Sequence, residues 1–240
     1  MGDIMNYVII LAAGIGTRIK NLNIPKQYYE INGVPIIMYT IKKFMDLNCF
    51  DYVYLTVDND YKELMTRLLK KHIENYEKII LVEGGKERID SICNAIKVIE
   101  NKNNITEDDI IVVQDGVRPF VSDEIILNSI KCSKKHIACA TSSPVNDTIF
   151  QSENGDTVDN IPVRSTLFCG QSPDAFNLKK FIEMINSLSD EQKRKITGTS
   201  DICQFYNIPI KMIKGSNLNF KITTDADLKI AELILKEMKF

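Results

Sequence analysis

Apolar positions along the chain fall into short aliphatic runs separated by longer stretches at helical spacing. Val8-Ile9-Ile10-Leu11 is a continuous run that ends shortly before Gly14, the pattern of a strand covered on both faces. Pro35 to Leu47 then places Ile37, Ile41, Phe44 and Met45 on one helical face, with Pro at a plausible first turn. Tyr52 to Val57 reads as a second strand and residues 60–73 as an amphipathic helix turning Leu64, Leu68 and Leu69 inward. Ile79 to Val82 is a third strand, closed by Gly84-Gly85 and followed by a helix from about Glu87 to Glu100. Ile110 to Val113 is a fourth, ending at Asp115. Strand and helix thus alternate four times over the first 135 residues. That order predicts βαβ crossovers and an α/β, Rossmann-like, mainly parallel sheet flanked by helices.

The pattern changes after Ile137 to Ala140. Residues 144–169 mix Pro, Asn, Asp, Gly and Ser with the short extended runs Asp147 to Phe150 and Ile161 to Phe168, which predicts a protruding β-arm or hairpin. Its apolar side chains would be poorly placed in water, and a second copy of the chain is the simplest cover. Helical spacing returns at 177–187 and 225–238. With no internal repeat, low-complexity tract or linker, residues 1–240 read as one domain with this arm.

Composition narrows the classes. The 30 Lys and Arg against 32 Asp and Glu give a formal charge of −2, and 44% of residues are hydrophobic, as in an ordinary soluble globular protein. A bulk nucleic-acid binder would carry a basic excess, so no nucleic-acid partner is expected. A small anionic ligand needs only a few local cations. No apolar run approaches the ~20 residues that span a bilayer. The stretch from Tyr7 to Ala13 is short and follows Asp3, unlike a secretory signal, and Asn6 stands where a myristoylation motif wants Ser or Thr. The six scattered cysteines have no CxxC spacing and no clustered histidine. They read as reduced thiols of a cytoplasmic protein.

Ligands of open parallel sheets bind beyond the carboxyl ends of the strands, and the informative residues cluster there. After the first strand come Ala12, Ala13, Gly14, Gly16 and Arg18, then Pro25-Lys26. After the third come Gly84, Gly85 and Arg88, and after the fourth Asp115 and Arg118. Glycines let backbone N–H groups approach an anion, and Arg and Lys neutralise its charge, so a polyphosphate suits this rim. Ile19 leaves a dinucleotide G-x-G-x-x-G incomplete, and no P-loop occurs. Taken alone, Gly14 and Gly16 fit a tight turn equally well, and Arg18 and Lys26 fit solvated surface charges.

The combination is more specific. Leu11-Ala12-Ala13-Gly14-Ile15-Gly16-Thr17-Arg18 followed by Pro25-Lys26-Gln27-Tyr28 closely resembles the signature of cytidylyltransferases that make CDP-alcohols. Gly84-Gly85-Lys86-Glu87-Arg88-Ile89-Asp90-Ser91, Asp115-Gly116-Val117-Arg118-Pro119-Phe120, Pro144 to Ile149, Arg164 with Gln171-Ser172-Pro173, and Phe220-Lys221-Ile222-Thr223-Thr224 continue it in the family's order. The resemblance implies that Ala12, Ala13, Gly14, Gly16, Gly85, Arg88 and Ser91 hold CTP. It puts Arg18 and Lys26 against the phosphates and makes Asp115 the Mg²⁺ ligand. Arg18, Lys26, Lys221 and Asp115 become the catalytic set, with Arg118, Thr148, Arg164 and Ser200 on the acceptor side. It also implies a homodimer through the arm.

Two acceptors follow from it. The Val117-Arg118-Pro119-Phe120 block and the stretch Ser187 to Lys193 resemble the ribitol-5-phosphate branch, which makes ribitol 5-phosphate the preferred polyol phosphate and CDP-ribitol the product. The alternative is the 2-C-methyl-D-erythritol 4-phosphate branch. Gln114, where His is usual, and Asp174, where Gln is common, match neither well, and Ser200-Asp201 stands where the family has Thr-Asp. A non-catalytic nucleotide-binding scaffold is a third reading. Facing cations such as Arg18, Lys26, Arg164 and Lys221 around Asp115 speak against it, since an idle site has no need of them.

Overall fold

Residues 4–14, 16 and 24–237 are described by the computed structural model. Its central sheet is built from β1 (Asn6–Leu11), β4 (Tyr52–Val57), β5 (Ile79–Glu83), β6 (Ile110–Asp115), β7 (Ala138–Pro144), β8 (Phe168–Asn177) and β9 (Ile210–Lys214), in spatial order β5-β4-β1-β6-β8-β7-β9. A small antiparallel pair, β2 (Glu30–Ile31) and β3 (Val34–Pro35), stands apart. β1 is central and pairs in parallel with β4 and β6, bringing Leu11 opposite Asp115. The glycine loop after β1 and the carboxylate ending β6 are therefore neighbours by register.

Alternation along β1 explains the two layers. Val8 and Ile10 enter one fully buried cluster with residues of α1 (Ile36–Asp46), α2 (Lys62–His72), α4 (Asp123–Ser133) and α8 (Asp225–Glu237). Tyr7 and Ile9 enter the other with α3 (Arg88–Lys102) and α5 (Leu178–Asn186). Truncating a buried isoleucine such as Ile10 to Ala would cost about 2–5 kcal/mol. Ser122 caps α4 by accepting from Ile125 N–H, and Asn177 caps α5 by accepting from Lys180 N–H, each satisfying an orphan donor of a first turn.

The four predicted strand–helix alternations are present. The second half differs from expectation. The apolar stretch after α4 opens β7, which the sequence pattern does not single out as a strand and which runs to Pro144, and the arm is mostly irregular, with a single Gln151–Asn160 bridge and a 3₁₀ turn at Arg164–Thr166 among the described residues. Its base is closed by Val145 N–H donating to Leu167 O. The return leg is β8, antiparallel to both β6 and β7 in the middle of the sheet. Gly170, Ser172-Pro173 and Asp174 break its apolar run, which hides it in the sequence. Pro173 is tolerated where the β7–β8 register shifts between Ala140 and Ser142, since a proline inside a sheet is confined to edges and irregularities. β9 and the short helices α6 (Asp190–Lys195) and α7 (Asp201–Phe205) were likewise not anticipated. Among the described residues no helix is long and apolar enough to cross a membrane.

Candidate active site

A cavity of about 270 Å³ opens at the carboxyl ends of β1, β5 and β6. Ala12, Ala13, Gly14, Gly16, Lys26, Gly85, Arg88, Ser91, Asp115 and Lys221 all line it, which brings ten of the sequence-derived positions together. Among the described residues four cationic side chains, counting Lys86, line it together with Glu87 and Asp115.

Local structure explains the shape of the wall. Gly16 takes φ +63, a left-handed conformation open to glycine, with the Lys26 side chain in ordinary contact range of where a Cβ would sit, at 3.4 Å. Gly84 packs so tightly that a Cβ would meet Ala13 Cβ at 2.1 Å. The loop after β1 is tied from below by Gln27, 3% exposed, whose side-chain amide donates to Ala12 O at 2.8 Å and to Gly14 O at 2.9 Å. Opposite, Gly85 N–H donates to Ser91 Oγ at 3.0 Å. The first residues of α3 border the cavity behind a capping box of Glu87 and Asp90, so the positive end of that helix dipole lies near it.

Asp115 is the electrostatic centre. Arg88 Nη2 lies 3.3 Å from Oδ1, and Arg118 Nε and Lys221 Nζ each lie 3.2 Å from Oδ2. Burial acts to raise its pKa, but Arg88, Lys221 and Arg118 outweigh it and hold the carboxyl well below the usual range. Its N–H donates to Ser172 Oγ at 3.0 Å. Nearby, burial pushes the Asp174 carboxyl up to about 7. The Arg88 charge and hydrogen bonds from Ser200 and Thr199 oppose that shift, and Asp115 adds to it.

Other expected residues lie elsewhere. Arg118 does not line the cavity; it is buried behind Asp115, donating also to Asn219 O at 2.7 Å, so within this chain its guanidinium faces protein groups. Thr148 and Arg164 are exposed on the arm, where Arg164 donates to Asn146 O at 3.2 Å. Ser200 is not in the cavity lining. Arg18 lies outside the described residues. Sequence reasoning missed Gln27, Thr199 and Asn219 as structural partners of the site. Only Gln27 left a signal, by following Lys26 directly.

Among the described residues no group of three or more His, Cys, Asp or Glu could hold a metal alone. That suits Mg²⁺, which is commonly bound by one or two carboxylates together with substrate phosphates. Asp115 supplies an ionised carboxylate whose two oxygens have lone pairs beyond the cations they already meet, so the donor set fits such an ion.

A glycine-edged cavity at the carboxyl rim of a mainly parallel sheet, with cations gathered around one ionised aspartate, is the equipment of a nucleotidyltransferase. The comparisons with known proteins agree. The family model described as "IspD: 2-C-methyl-D-erythritol 4-phosphate cytidylyltransferase" matches residues 6–237. The chain belongs to that family, whose members are CTP-dependent cytidylyltransferases, and is an enzyme of this class. The crystal structure of Francisella tularensis 2-C-methyl-D-erythritol 4-phosphate cytidylyltransferase is similar at 29% identity and TM-score 0.79, covering 95% of this chain and 99% of that one. The 4-diphosphocytidyl-2C-methyl-D-erythritol synthase of Anaerococcus prevotii DSM 20548 is 25% identical with TM-score 0.78, covering 98% and 99%. A further synthase of that description, 20% identical, has TM-score 0.80 over 97% and 99% of the two chains and bears on the fold alone. The ribitol-5-phosphate preference finds no support among these, and they favour the alternative acceptor.

Proposed function

We propose that this single nucleotidyltransferase domain transfers CMP from CTP to the phosphate of a polyol phosphate, releasing pyrophosphate. The observation that carries this is the convergence of Lys26, Arg88 and Lys221 on one cavity around Asp115. An acceptor phosphate has a second pKa near 6 and is already largely an anionic nucleophile at neutral pH, so no general base is needed. The obstacle is repulsion between two phosphorylated molecules. Catalysis then consists of positioning and cationic stabilisation as the acceptor oxygen attacks the α-phosphorus in line with the departing pyrophosphate.

In this reading the loop Ala12 to Gly16, Gly85, Arg88 and Ser91 seat the nucleotide, and Lys26 and Lys221, together with Arg18, offset charge on the reacting phosphates. Asp115 would hold Mg²⁺, which when bound neutralises phosphate charge. Thr148 and Arg164 reach an acceptor through arm exchange in a dimer, a reading supported by the exposed apolar residues Phe150, Ile161 and Val163 beside them. A cytoplasmic setting is part of the proposal, supported by six free cysteines.

2-C-methyl-D-erythritol 4-phosphate is the acceptor that the family and its solved structures support. Ribitol 5-phosphate is the second reading, favoured by the Val117 to Phe120 block and the stretch Ser187 to Lys193. Pyrophosphate release measured with CTP, Mg²⁺ and each acceptor in turn tests both. We expect release with methylerythritol phosphate. Release with ribitol phosphate alone would reverse the order, and release with neither would sink the proposal for both acceptors.

A further inference from the structure

Gln171 and Ser172 lie where β8 passes from exposed to buried, and neither lines the cavity. Both nonetheless hold the segment between β9 and α8 that carries Lys221. The Gln171 side-chain amide pairs with the backbone of Ser216 twice: Nε2 donates to Ser216 O at 2.8 Å, and Oε1 accepts from Ser216 N–H at 3.3 Å. A Cβ on Gly215 would collide with that Oε1, so the close approach requires a glycine there. Oε1 also accepts from Asn219 Nδ2 at 3.3 Å, and the same nitrogen donates to Ser172 O at 2.8 Å. Asn219 is fully buried.

This brace closes on the aspartate of the site. Asp115 N–H donates to Ser172 Oγ at 3.0 Å, while Arg118 donates from Nη1 to Asn219 O at 2.7 Å and from Nε to Asp115 Oδ2 at 3.2 Å. A ring of hydrogen bonds therefore joins Asp115, Ser172, Asn219 and Arg118. Lys221 stands two residues beyond Asn219, and just past it Ile222 N–H donates to Val117 O. Its backbone is anchored on both flanks, and from there Nζ lies 3.2 Å from Asp115 Oδ2. A lysine stem is flexible, so the place of its ammonium depends on where its backbone is held.

We propose that Gln171 and Asn219 are positioning residues, whose paired amides fix the backbone leading into Lys221 and so set its ammonium for the reacting phosphates. The inference rests on the reading of Lys221 as a group that offsets phosphate charge during transfer.

The test is steady-state pyrophosphate release with CTP, Mg²⁺ and the better of the two acceptors, on the full chain and on Gln171→Leu, Lys221→Met and the Gln171→Leu/Lys221→Met double variant. Gln171→Leu should lower kcat about tenfold, the scale of one lost hydrogen bond. KM for CTP should stay within about twofold, because the displaced ammonium acts on the reacting phosphates rather than on nucleotide binding. In the Lys221→Met background the same replacement should change kcat by less than about twofold, since the ammonium it would place is already gone. A brace that only supports the fold would lower kcat by the same factor in both backgrounds. If Gln171→Leu fails to fold, Asn219→Ala in the same cycle decides the question. Equal losses in the two backgrounds, or an unchanged kcat in Gln171→Leu, would overturn the inference alone. An original chain that releases no pyrophosphate would overturn the reading of the reaction along with it.

Discussion

The side-chain amide of Gln27 spans the two carbonyls of Ala12 and Gly14, at 2.8 and 2.9 Å. The loop that borders the cavity is thereby held by a residue that does not belong to it. Replacing Gln27 with Leu leaves both carbonyls without that donor at a cost of about 1–3 kcal/mol each where buried. We expect a lower urea midpoint together with at least tenfold weaker CTP binding. Unaltered binding with reduced stability would show the loop to be set by its other contacts.

Lys26 borders the cavity while only 8% exposed. Lys26→Ala should lower kcat by roughly 10²–10³-fold, the range for losing one preorganised charge stabiliser. An unchanged kcat would remove Lys26 from the mechanism.

Asp115 binds three cations, so Asp115→Asn strands them. Breaking a buried pair costs about 3–5 kcal/mol, readable in denaturant unfolding at neutral pH. Because the folded pKa is depressed, the stability that Asp115 contributes is present above the unfolded carboxylate value and lost as pH falls through the folded one. The difference between the original chain and Asp115→Asn should therefore shrink on acidification; a constant difference would contradict this.

Asp174 has the opposite sign. Its folded pKa of about 7 lies above the unfolded value of 3.8, so between them the folded state holds a proton the unfolded state has lost. Stability falls with rising pH across that window and is level above it. Asp174→Asn should gain stability relative to the original chain at about pH 8 and little at about pH 4. The same gain at both would place the effect outside titration.

The arm leaves Phe150 61%, Ile161 57% and Val163 67% exposed. Light scattering should give about twice the 27.3 kDa chain mass, and replacing these three with Ser should halve it. A monomeric original chain would contradict arm-mediated pairing.

The parallel half of the fold was legible because β1, β5 and β6 carry unbroken aliphatic runs, β4 is a run of aromatic, aliphatic and β-branched residues, and each helix shows one apolar face. β8 was not, since its neighbours on both sides bury it while its own sequence carries Gly170, Pro173 and Asp174. In the site, the glycine loop, Lys26, Arg88 and Asp115 stand at strand ends and could be picked out by position. The partners that fix them could not. Arg118 meets Asn219 across 101 residues, and Arg88 meets Thr199 across 111; no local pattern signals such pairings. The arm was legible as a non-helical excursion from its turn residues and short extended runs, but not its irregularity: its Asn, Asp and Ser side chains bond one another and the nearby backbone.

Lys221 arrives at Asp115 from the segment between β9 and α8, locked down where Ile222 N–H donates to Val117 O and Arg118 grips Asn219. During synthesis on the ribosome every strand of the sheet is therefore made before this last cation exists. A nascent protein halted upstream of it can build the glycine cradle yet leaves its central aspartate short of one counter-charge, so competence waits on the emergence of Lys221.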